Sequence, residues 1–334
     1  MKKRKILTIV LSIVCIIILF MVVINVIPPK YSIDNNPFIS TNGTMLCAHR
    51  GGAIQNPENT MKAYKSAVED YQADILETDL WMTKDNHLVL NHDGMLNRTT
   101  DIALFEGEAY DENKEYKIGD YTLEELKKFN FGYQFELNGE RPYKDLTTLD
   151  NPNRNQIIKD NDLAITEFKD FLDYFYQNNK DMLFIVEIKN PGQKGMEAAD
   201  IMADLLINVY PEYQNRVVIG TFNDEIEAYL KDNYPSLLRG ASTKVATSFI
   251  ITQLLGVNIF DNASVACLQL PMKQSGLDLT WDTYINRAHR RNIAVQYWTI
   301  NEEADMRNLI NKGVDAIMSD DIALLRNVLD DMNK

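Results

Sequence analysis

The first apolar segment of the chain is far longer than any that follows it. Residues 6–27 carry no charged side chain and come directly after the basic sequence Met-Lys-Lys-Arg-Lys. In a helix that rises about 1.5 Å per residue, such a run extends about 33 Å, enough to cross the ~30 Å hydrocarbon core of a bilayer. We therefore predict a basic cytoplasmic tip and a transmembrane anchor over residues 1–28, followed by a polar linker over 29–43.

The residues that flank this apolar run set the expected orientation. Lys and Arg favour the cytoplasmic side of a membrane segment, and here they precede it. The prediction is a single-pass cell-membrane protein whose chain after residue 28 lies outside the cell. A cleaved signal peptide is the alternative, although its apolar region usually has only about 7–15 residues and ends in small residues, unlike Pro28-Pro29.

Short apolar runs alternate with helical patterns over the rest of the chain. Nine runs are predicted to be strands: 45–48, 73–80, 87–91, 183–188, 217–221, 237–240, 263–270, 294–300 and 316–318. Helical patterns cover 60–71, 197–209, 224–232, 281–290 and 302–311. Strands that alternate with helices indicate parallel βαβ units. With 87–91 as a hairpin partner, eight strands remain, which is the number in a (β/α)8 TIM barrel.

An open doubly wound sheet is the competing α/β fold. It usually carries a G-x-G-x-x-G phosphate turn, and Gly51-Gly52 after Arg50 does not supply that pattern. Residues from about 96 to 164 interrupt the alternation, because they are polar and rich in Asp, Glu, Lys, Tyr and Asn. We interpret this insertion as a lid or subdomain over the active-site face, with a short helix that begins at the capping pattern Thr122-x-x-Glu125.

Charge and cysteine content narrow the classes of function. The formal net charge of −14 argues against nucleic acid as the main partner. The chain has three cysteines, and two of them, Cys47 and Cys267, lie in apolar runs. We expect these two to be buried free thiols, because two such residues do not make a disulfide framework.

Carboxylates at the ends of predicted strands are the first candidate chemistry. Glu77 and Asp79 are two residues apart on one strand, so both point to the same side of the sheet. Glu187 follows on a later strand. Clustered acids repel one another unless a cation lies among them, and oxygen ligands favour Ca²⁺ or Mg²⁺ over zinc.

Two of the four histidines also end apolar runs, each next to a charged residue. Imidazole exchanges protons near neutral pH, so His49 and His92 are candidate acid–base groups. Arg50 offers a planar fork to a phosphodiester, and Lys189 shares the face of Glu187. Because barrels place their chemistry at the C-terminal ends of strands, a closed barrel would gather these residues in one site.

Short motifs along the chain resemble those of the glycerophosphodiester phosphodiesterase family. They lie in order between about residues 45 and 323 and are His49-Arg50-Gly51, Pro57-Glu58-Asn59-Thr60, Glu77-Thr78-Asp79, Thr83-Lys84-Asp85, His92-Asp93, Leu96-Asn97-Arg98-Thr99-Thr100, Glu187-Ile188-Lys189, Trp298-Thr299-Ile300-Asn301 and Gly313-Val314-Asp315-Ala316-Ile317-Met318-Ser319-Asp320. The resemblance implies a TIM-barrel domain over residues 44–334, a divalent metal ion, and hydrolysis of glycerophosphodiesters to sn-glycerol 3-phosphate and an alcohol.

The resemblance also implies roles for individual residues. The metal ligands would be Glu77, Asp79 and Glu187, the acid–base pair His49 and His92, and the phosphate contacts Arg50 and Lys189. Supporting roles are expected for Glu58, Asn59 and Trp298.

The sequence leaves the substrate and some alternatives open. Deacylated phospholipids are the leading substrates, and lysophospholipids or polyglycerophosphate polymers are further candidates for an enzyme held at a membrane. The rivals are a phospholipase C or D acting on intact lipid, and a catalytically silent surface-binding barrel. The lipid rival predicts an exposed aromatic patch in the insertion, formed by Phe129, Phe131, Tyr133 and Phe135.

Overall fold

The computed structural model describes residues 2–27 and 33–332. Its first element is one long helix, α1 (Lys2–Val26), where the long apolar run predicts it. The stretch Arg4–Val23 has a mean hydropathy of 3.4, is not buried, and is long and apolar enough to cross a membrane. An uncleaved span and a secretory signal both meet this criterion.

Eight parallel strands form the predicted barrel, joined by a short hairpin partner. In chain order the strands are β1 (Met45–Ala48), β2 (Ile75–Met82), β3 (Leu88–Leu90), β4 (Leu183–Ile188), β5 (Val217–Gly220), β6 (Leu238–Arg239), β7 (Cys267–Leu270), β8 (Lys273–Gln274), β9 (Leu277–Asp278), β10 (Ala294–Tyr297) and β11 (Ala316–Ser319). The order around the barrel is β6-β5-β4-β2-β1-β11-β10-β7. A parallel bridge between Gly240 and Cys267 joins the two ends of this order, so the barrel closes.

The remaining strands lie outside the barrel. Strand β3 pairs antiparallel with β2, as expected of a hairpin partner, and β8 pairs with β9 in a small separate hairpin. The barrel strands are buried almost throughout, because helices cover their outer side while side chains fill the interior. Both Cys47 and Cys267 are buried free thiols, as predicted.

Helices surround the barrel, and most follow a strand directly. After α1 they are α2 (Met61–Glu69), α3 (Ile102–Phe105), α4 (Leu123–Leu126), α5 (Arg154–Asp160), α6 (Phe168–Asn178), α7 (Gly192–Asp204), α8 (Asp224–Asn233), α9 (Thr243–Leu254), α10 (Asp282–His289), α11 (Glu303–Asn311) and α12 (Ile322–Asp331). Helix α4 begins with the predicted capping box of Thr122 and Glu125, and Thr60 caps α2 through its side chain. Helices α3, α5, α6, α9 and α12 are additional to those predicted.

The insertion between β3 and β4 has its own small core. Buried side chains from this segment pack on Val89 of β3. Phe129 and Phe131 belong to that core and are only 4% and 3% exposed, while Tyr133 and Phe135 are half-buried. These four residues therefore do not form the exposed aromatic patch that the lipid rival predicts.

Residues 33–43 close the N-terminal end of the barrel, which we call the floor. The Phe38 side chain is fully buried in a cluster with Cys47, Ile75 and Leu183. Ile75 and Leu183 are the first residues of β2 and β4, and Cys47 of β1 pairs with Ile75. The backbone N–H of Ser40 donates to Asp315 Oδ1 at 2.9 Å. This segment is therefore packed as part of the barrel.

Side-chain amides fasten the same segment. Asn36 Nδ2 donates to the carbonyl oxygens of Ala266 at 2.7 Å and Asn292 at 2.8 Å. In return, Asn292 Nδ2 donates to the carbonyl oxygen of Ile33. Because Ala266 and Asn292 come just before strands β7 and β10, the chain from Ile33 onward is held at the floor.

Candidate active site

A cavity of about 110 Å³ opens at the C-terminal ends of the barrel strands. Eight of the ten predicted site residues line it: His49, Arg50, Glu77, Asp79, His92, Glu187, Lys189 and Trp298. The other two, Glu58 and Asn59, lie behind this lining and hydrogen bond to it. The apolar wall includes Phe222, whose ring meets Trp298 edge to face with centroids 5.6 Å apart.

Three carboxylates converge in the cavity. Glu77 and Asp79 project from the same side of β2, and the parallel register places Asp79 opposite Glu187 of β4. One oxygen from each of the three lies within 4.8 Å of the others. Burial, and then the negative charge of Asp79, raise the pKa of Glu77 to about 8. A bound cation would relieve this repulsion, and three carboxylates are the hard oxygen donors that Ca²⁺ and Mg²⁺ prefer.

Two cationic side chains border the carboxylates. Lys189 Nζ lies 3.1 Å from both Asp79 Oδ1 and Glu187 Oε1. Arg50 Nε lies 3.6 Å from Asp79 Oδ2, beyond hydrogen-bond distance, and is buried without a hydrogen-bond partner among the described residues. The N–H groups of Arg50 and Lys189 are thus placed to meet an anion that enters the cavity.

The turn after β1 places His49 and Arg50. Arg50 adopts a left-handed backbone conformation (φ 52°), and its backbone N–H donates to Glu77 Oε2 at 2.8 Å. His49 Nδ1 lies 2.6 Å from Asp320 Oδ1, and its Nε2 lies 3.9 Å from Glu77 Oε2. Burial lowers the pKa of His49, but the charge of Glu77 and the bond to Asp320 outweigh it, so the pKa is raised overall.

The second histidine has a matching partner. His92 Nδ1 lies 2.7 Å from Asp93 Oδ1, and Trp81 Nε1 donates to the His92 carbonyl oxygen at 2.9 Å. A carboxylate at Nδ1 holds the proton on that nitrogen, and it leaves Nε2 for proton exchange with a substrate. Both predicted acid–base histidines therefore have the same arrangement of partners.

Arg98, at the start of the insertion, connects this pair to the other side of the cavity. Its Nε donates to Asp93 Oδ2 at 2.6 Å, and its two terminal nitrogens donate to both oxygens of Glu58 at 2.6 and 2.7 Å. Glu58 also accepts from Arg50 Nη1 at 3.2 Å. Burial raises the pKa of Asp93, but the bonds from His92 and Arg98 outweigh it and hold the pKa well below its usual range.

Asn59 supports the carboxylate cluster from below. Its Nδ2 donates to Asp79 Oδ2 at 3.2 Å, while its Oδ1 accepts from Tyr64 at 2.8 Å and from Thr78 at 2.9 Å. The side chain is almost completely buried. These bonds fix the rotamer of Asp79, because the amide is itself held on both sides.

Three further residues of the site lie in the sequence motifs of the family resemblance, but no role is predicted for them from the sequence. Asp320 orients His49, and Asn301 in turn holds Asp320 with an N–H donated at 3.0 Å to Asp320 Oδ2. Arg98 fixes Asp93 and Glu58. No described residue of the insertion lines the cavity, so the insertion does not cover it as the expected lid would. The insertion contacts the site through Arg98, which bonds to Asp93 at the edge of the cavity.

Sequence comparison identifies the family. The profile of the glycerophosphoryl diester phosphodiesterase family matches residues 49–324, which include every candidate site residue. The chain belongs to this family. A glycerophosphodiester phosphodiesterase of Caldanaerobacter subterraneus is 28% identical over 290 residues, covering 86% of this chain and 98% of the relative. One from Bacillus subtilis is 26% identical over 306 residues, covering 88% and 89%.

Solved structures show the same fold. A putative family member from Silicibacter pomeroyi has a TM-score of 0.65 at 17% identity, over 89% of this chain and 96% of that one. A phosphodiesterase from Oleispira antarctica, in complex with its product sn-glycerol-3-phosphate, has a TM-score of 0.61 at 21% identity, over 86% and 97%. The predicted (β/α)8 barrel and family resemblance are both confirmed.

Proposed function

We propose that this chain is a metal-dependent phosphodiesterase that hydrolyses glycerophosphodiesters to sn-glycerol 3-phosphate and an alcohol. The observation that carries the proposal is a cluster of three carboxylates, Glu77, Asp79 and Glu187, in one cavity with two His–Asp pairs. The names of the relatives support the same activity, and the product bound to the Oleispira antarctica enzyme supports the same product.

The three carboxylates are the proposed metal ligands. Glu77, Asp79 and Glu187 would hold Ca²⁺ or Mg²⁺, since their oxygens are close enough together to share one ion and include no sulfur or nitrogen donor. When bound, such an ion polarises a phosphoryl oxygen and offsets the negative charge that develops at phosphorus. Asn59 acts as a positioning residue, because it fixes Asp79.

The two histidines are the proposed acid–base pair. Each has its Nδ1 bonded to a carboxylate, so Nε2 is the atom that exchanges a proton with the substrate. One histidine accepts a proton from the water molecule whose oxygen attacks phosphorus. The other donates a proton to the alcohol oxygen as its bond to phosphorus breaks. The two proton transfers balance, and each histidine ends in the state in which the other began.

Arg50 and Lys189 are the proposed phosphate contacts. The ammonium group of Lys189 has three N–H donors, and its contacts to Asp79 and Glu187 use two of them. Arg50 has a buried Nε without a hydrogen-bond partner among the described residues, which suits an incoming phosphodiester oxygen. Trp298 supplies apolar surface on the opposite wall, where the carbon atoms of a glycerol group would pack.

The N-terminal helix is the proposed membrane anchor. We assign residues 1–28 to the basic tip and anchor, and 44–334, with its insertion at about 96–164, to the catalytic domain. The basic residues before the apolar run support a catalytic domain outside the cell.

The test of the proposed activity is product analysis on a panel of diesters. We expect glycerol 3-phosphate from glycerophosphocholine and glycerophosphoethanolamine, and little hydrolysis of a dialkyl phosphate without glycerol. Absence of glycerol 3-phosphate from every glycerol-containing diester would refute the proposal. The His87→Ala variant is a suitable active control, because His87 is bonded to Glu167 outside the cavity.

A further inference from the structure

The floor of the barrel carries exposed apolar side chains. Helix α9 leaves the C-terminal end of β6 and ends before β7, so its last residues lie at the floor. Leu254 and Leu255 at that end are 47% and 61% exposed, and Phe260 in the following turn is 63% exposed. We call these three residues the floor patch. Large apolar side chains grouped at one exposed place mark a surface that meets another apolar phase.

The N-terminal helix reaches the protein beside this patch. Helix α1 contacts the short turn Asn258–Phe260, and a Cβ on Gly256 would lie 2.4 Å from the Met21 side chain. The loop that carries the floor patch therefore lies beside the last two turns of α1. In a membrane-spanning helix these turns are at interfacial depth, about 5–10 Å into the bilayer, where amphipathic protein surfaces insert.

Basic side chains accompany the patch, although the whole chain is strongly acidic. Ile27 at the end of the anchor shares a small cleft with Arg287, Arg290 and Arg291. Arg291 is buried and paired with Asp261, so Arg287 and Arg290 are the basic residues at the surface of this cleft. Arginine next to apolar side chains is typical of protein surfaces that bind anionic lipid headgroups.

The tether between anchor and barrel is short. Ile27 and Ile33 are six residues apart, which allows at most about 22 Å of extended chain. Ile33 is already held at the floor by Asn292. The floor is therefore confined to the immediate neighbourhood of the membrane surface from which the anchor emerges.

The cavity lies at the other end of the barrel. On β2, Ile75 packs with Phe38 at the floor, and Asp79 is four residues further along, a rise of about 13 Å. A phosphate at the surface of the anchoring bilayer is thus separated from the carboxylates by the floor segment and the filled barrel interior.

We propose that the barrel is seated floor-down on its own membrane, with Leu254, Leu255 and Phe260 in the lipid interface. The cavity then opens away from the bilayer, and the substrates are water-soluble diesters, not lipids of the anchoring membrane. The substrate part of this inference rests on the proposed function. The seating rests on the membrane anchor proposed above and on the floor patch, and not on the catalytic activity.

The seating is tested with full-length protein in vesicles of phosphatidylcholine and phosphatidylglycerol that contain a headgroup nitroxide lipid. A fluorophore is attached to Leu255→Cys or Lys194→Cys in a Cys15→Ser background, since the other two cysteines are buried. Lys194 is exposed on the first turn of α7, at the cavity end of the barrel. We expect quenching of the Leu255 label to exceed that of the Lys194 label at least about twofold.

Other labelling results overturn the seating. Equal quenching of the two labels would place the barrel on its side, and stronger quenching at Lys194 would turn the cavity towards the lipid. If the nitroxide lipid does not quench the Leu255 label, the floor patch does not enter the membrane. It would then be a surface for a second copy of the chain or for another protein. Full-length protein that does not associate with vesicles would remove the anchor on which the seating depends.

The substrate arm uses the same vesicles and one readout, choline release. We expect release from glycerophosphocholine in solution, and at least ~10-fold slower release from a long-chain lysophosphatidylcholine held in the membrane. Equal rates would overturn the inference even with the expected label pattern. If neither compound yields choline while the labels behave as expected, the proposed function fails and the seating stands.

Discussion

Nδ1 of His49 lies 2.6 Å from Oδ1 of Asp320, although 271 positions separate the two residues in the sequence. His92 has the same relationship to its sequence neighbour Asp93, at 2.7 Å. The site therefore presents two imidazoles that are oriented in the same way, one by closure of the barrel and one by a local turn. This symmetry suits a reaction that needs one proton acceptor and one proton donor.

Removing either imidazole should stop efficient turnover. We expect His49→Ala and His92→Ala each to lower kcat at least ~10²-fold on glycerophosphocholine, the scale of general acid–base catalysis. His87→Ala is the matched control. Near-normal kcat in both site variants, measured with folded protein, would show that the histidines are structural.

A substrate with a better leaving group should separate the two roles. A nitrophenyl ester needs little protonation as it departs, so it should restore the variant that lacks the acid far more than the variant that lacks the base. Steady-state rates on both substrates measure this difference. Equal restoration of both variants would contradict separate roles.

Asp320→Asn should slow turnover while leaving the fold intact. An amide at this place no longer holds the proton on His49 Nδ1, so we expect kcat to fall at least ~10-fold with a smaller change in KM. The neighbouring Asp321→Asn is the matched control, since Asp321 caps α12 and asparagine also caps helices. A kcat loss shared equally by both variants would indicate a general disturbance of this loop.

Chelation should abolish activity reversibly. Three carboxylates on one wall are costly to keep ionised together without a cation, so we expect loss of activity in EDTA and recovery with Ca²⁺ or Mg²⁺. Calorimetric titration should detect binding of one of these ions to the wild type and none to Asp79→Asn. Full activity after exhaustive EDTA treatment would exclude a metal requirement.

The sequence predicted most of the barrel because its strands are short, apolar and regularly spaced. The predicted strand 183–188 coincides with β4 residue for residue. Helix α9 was missed because its sequence is rich in Thr, Val and Ile, which are weak helix formers. Helix α6 could have been predicted from the sequence, because its apolar residues have helical spacing: Phe168, Phe171, Leu172 and Phe175.

The shared position of two site residues could be predicted where both lie on the same strand. Glu77 and Asp79 alternate on β2, so their shared face follows from the pleat. The pairing of His49 with Asp320 needed one more step: the first and last strands of a closed barrel are neighbours, and Ala48 indeed pairs with Ser319. No sequence pattern predicts where Arg98 lies, because its position depends on how an irregular insertion folds.

Phe38→Ala should destabilise the barrel without altering the chemistry. The side chain is fully buried at the floor, so we expect a loss of about 3–5 kcal/mol in the free energy of unfolding. Tyr110→Ala, at an exposed position, should change stability by no more than about 0.5 kcal/mol. Denaturant unfolding measures both, and a Phe38 variant as stable as the control would show that the floor segment is dispensable.

His289 should make stability depend on pH. Its bond to Asp315 raises its pKa, with partial burial opposing, so the folded state binds this proton more tightly than the unfolded state. The resulting stabilisation is complete below about pH 6.5 and is lost as the pH rises through the higher folded-state pKa. His289→Gln should therefore lower Tm more at pH 5.5 than at pH 9, and an equal loss at both would contradict this linkage.

The position of Phe38 also governs what a protease would release. A cut within residues 28–32 would separate the barrel from the proposed anchor while Phe38, Asn36 and Ser40 stayed attached to the barrel. In the freed fragment, Phe38 would still cover the apolar side chains at the floor, and the residues of the candidate active site would keep their positions. If the chain is anchored as proposed, a cut at this point would release a diffusible enzyme without a refolding step. A cut after Ser40 would instead remove the covalent connection to the segment that covers the floor.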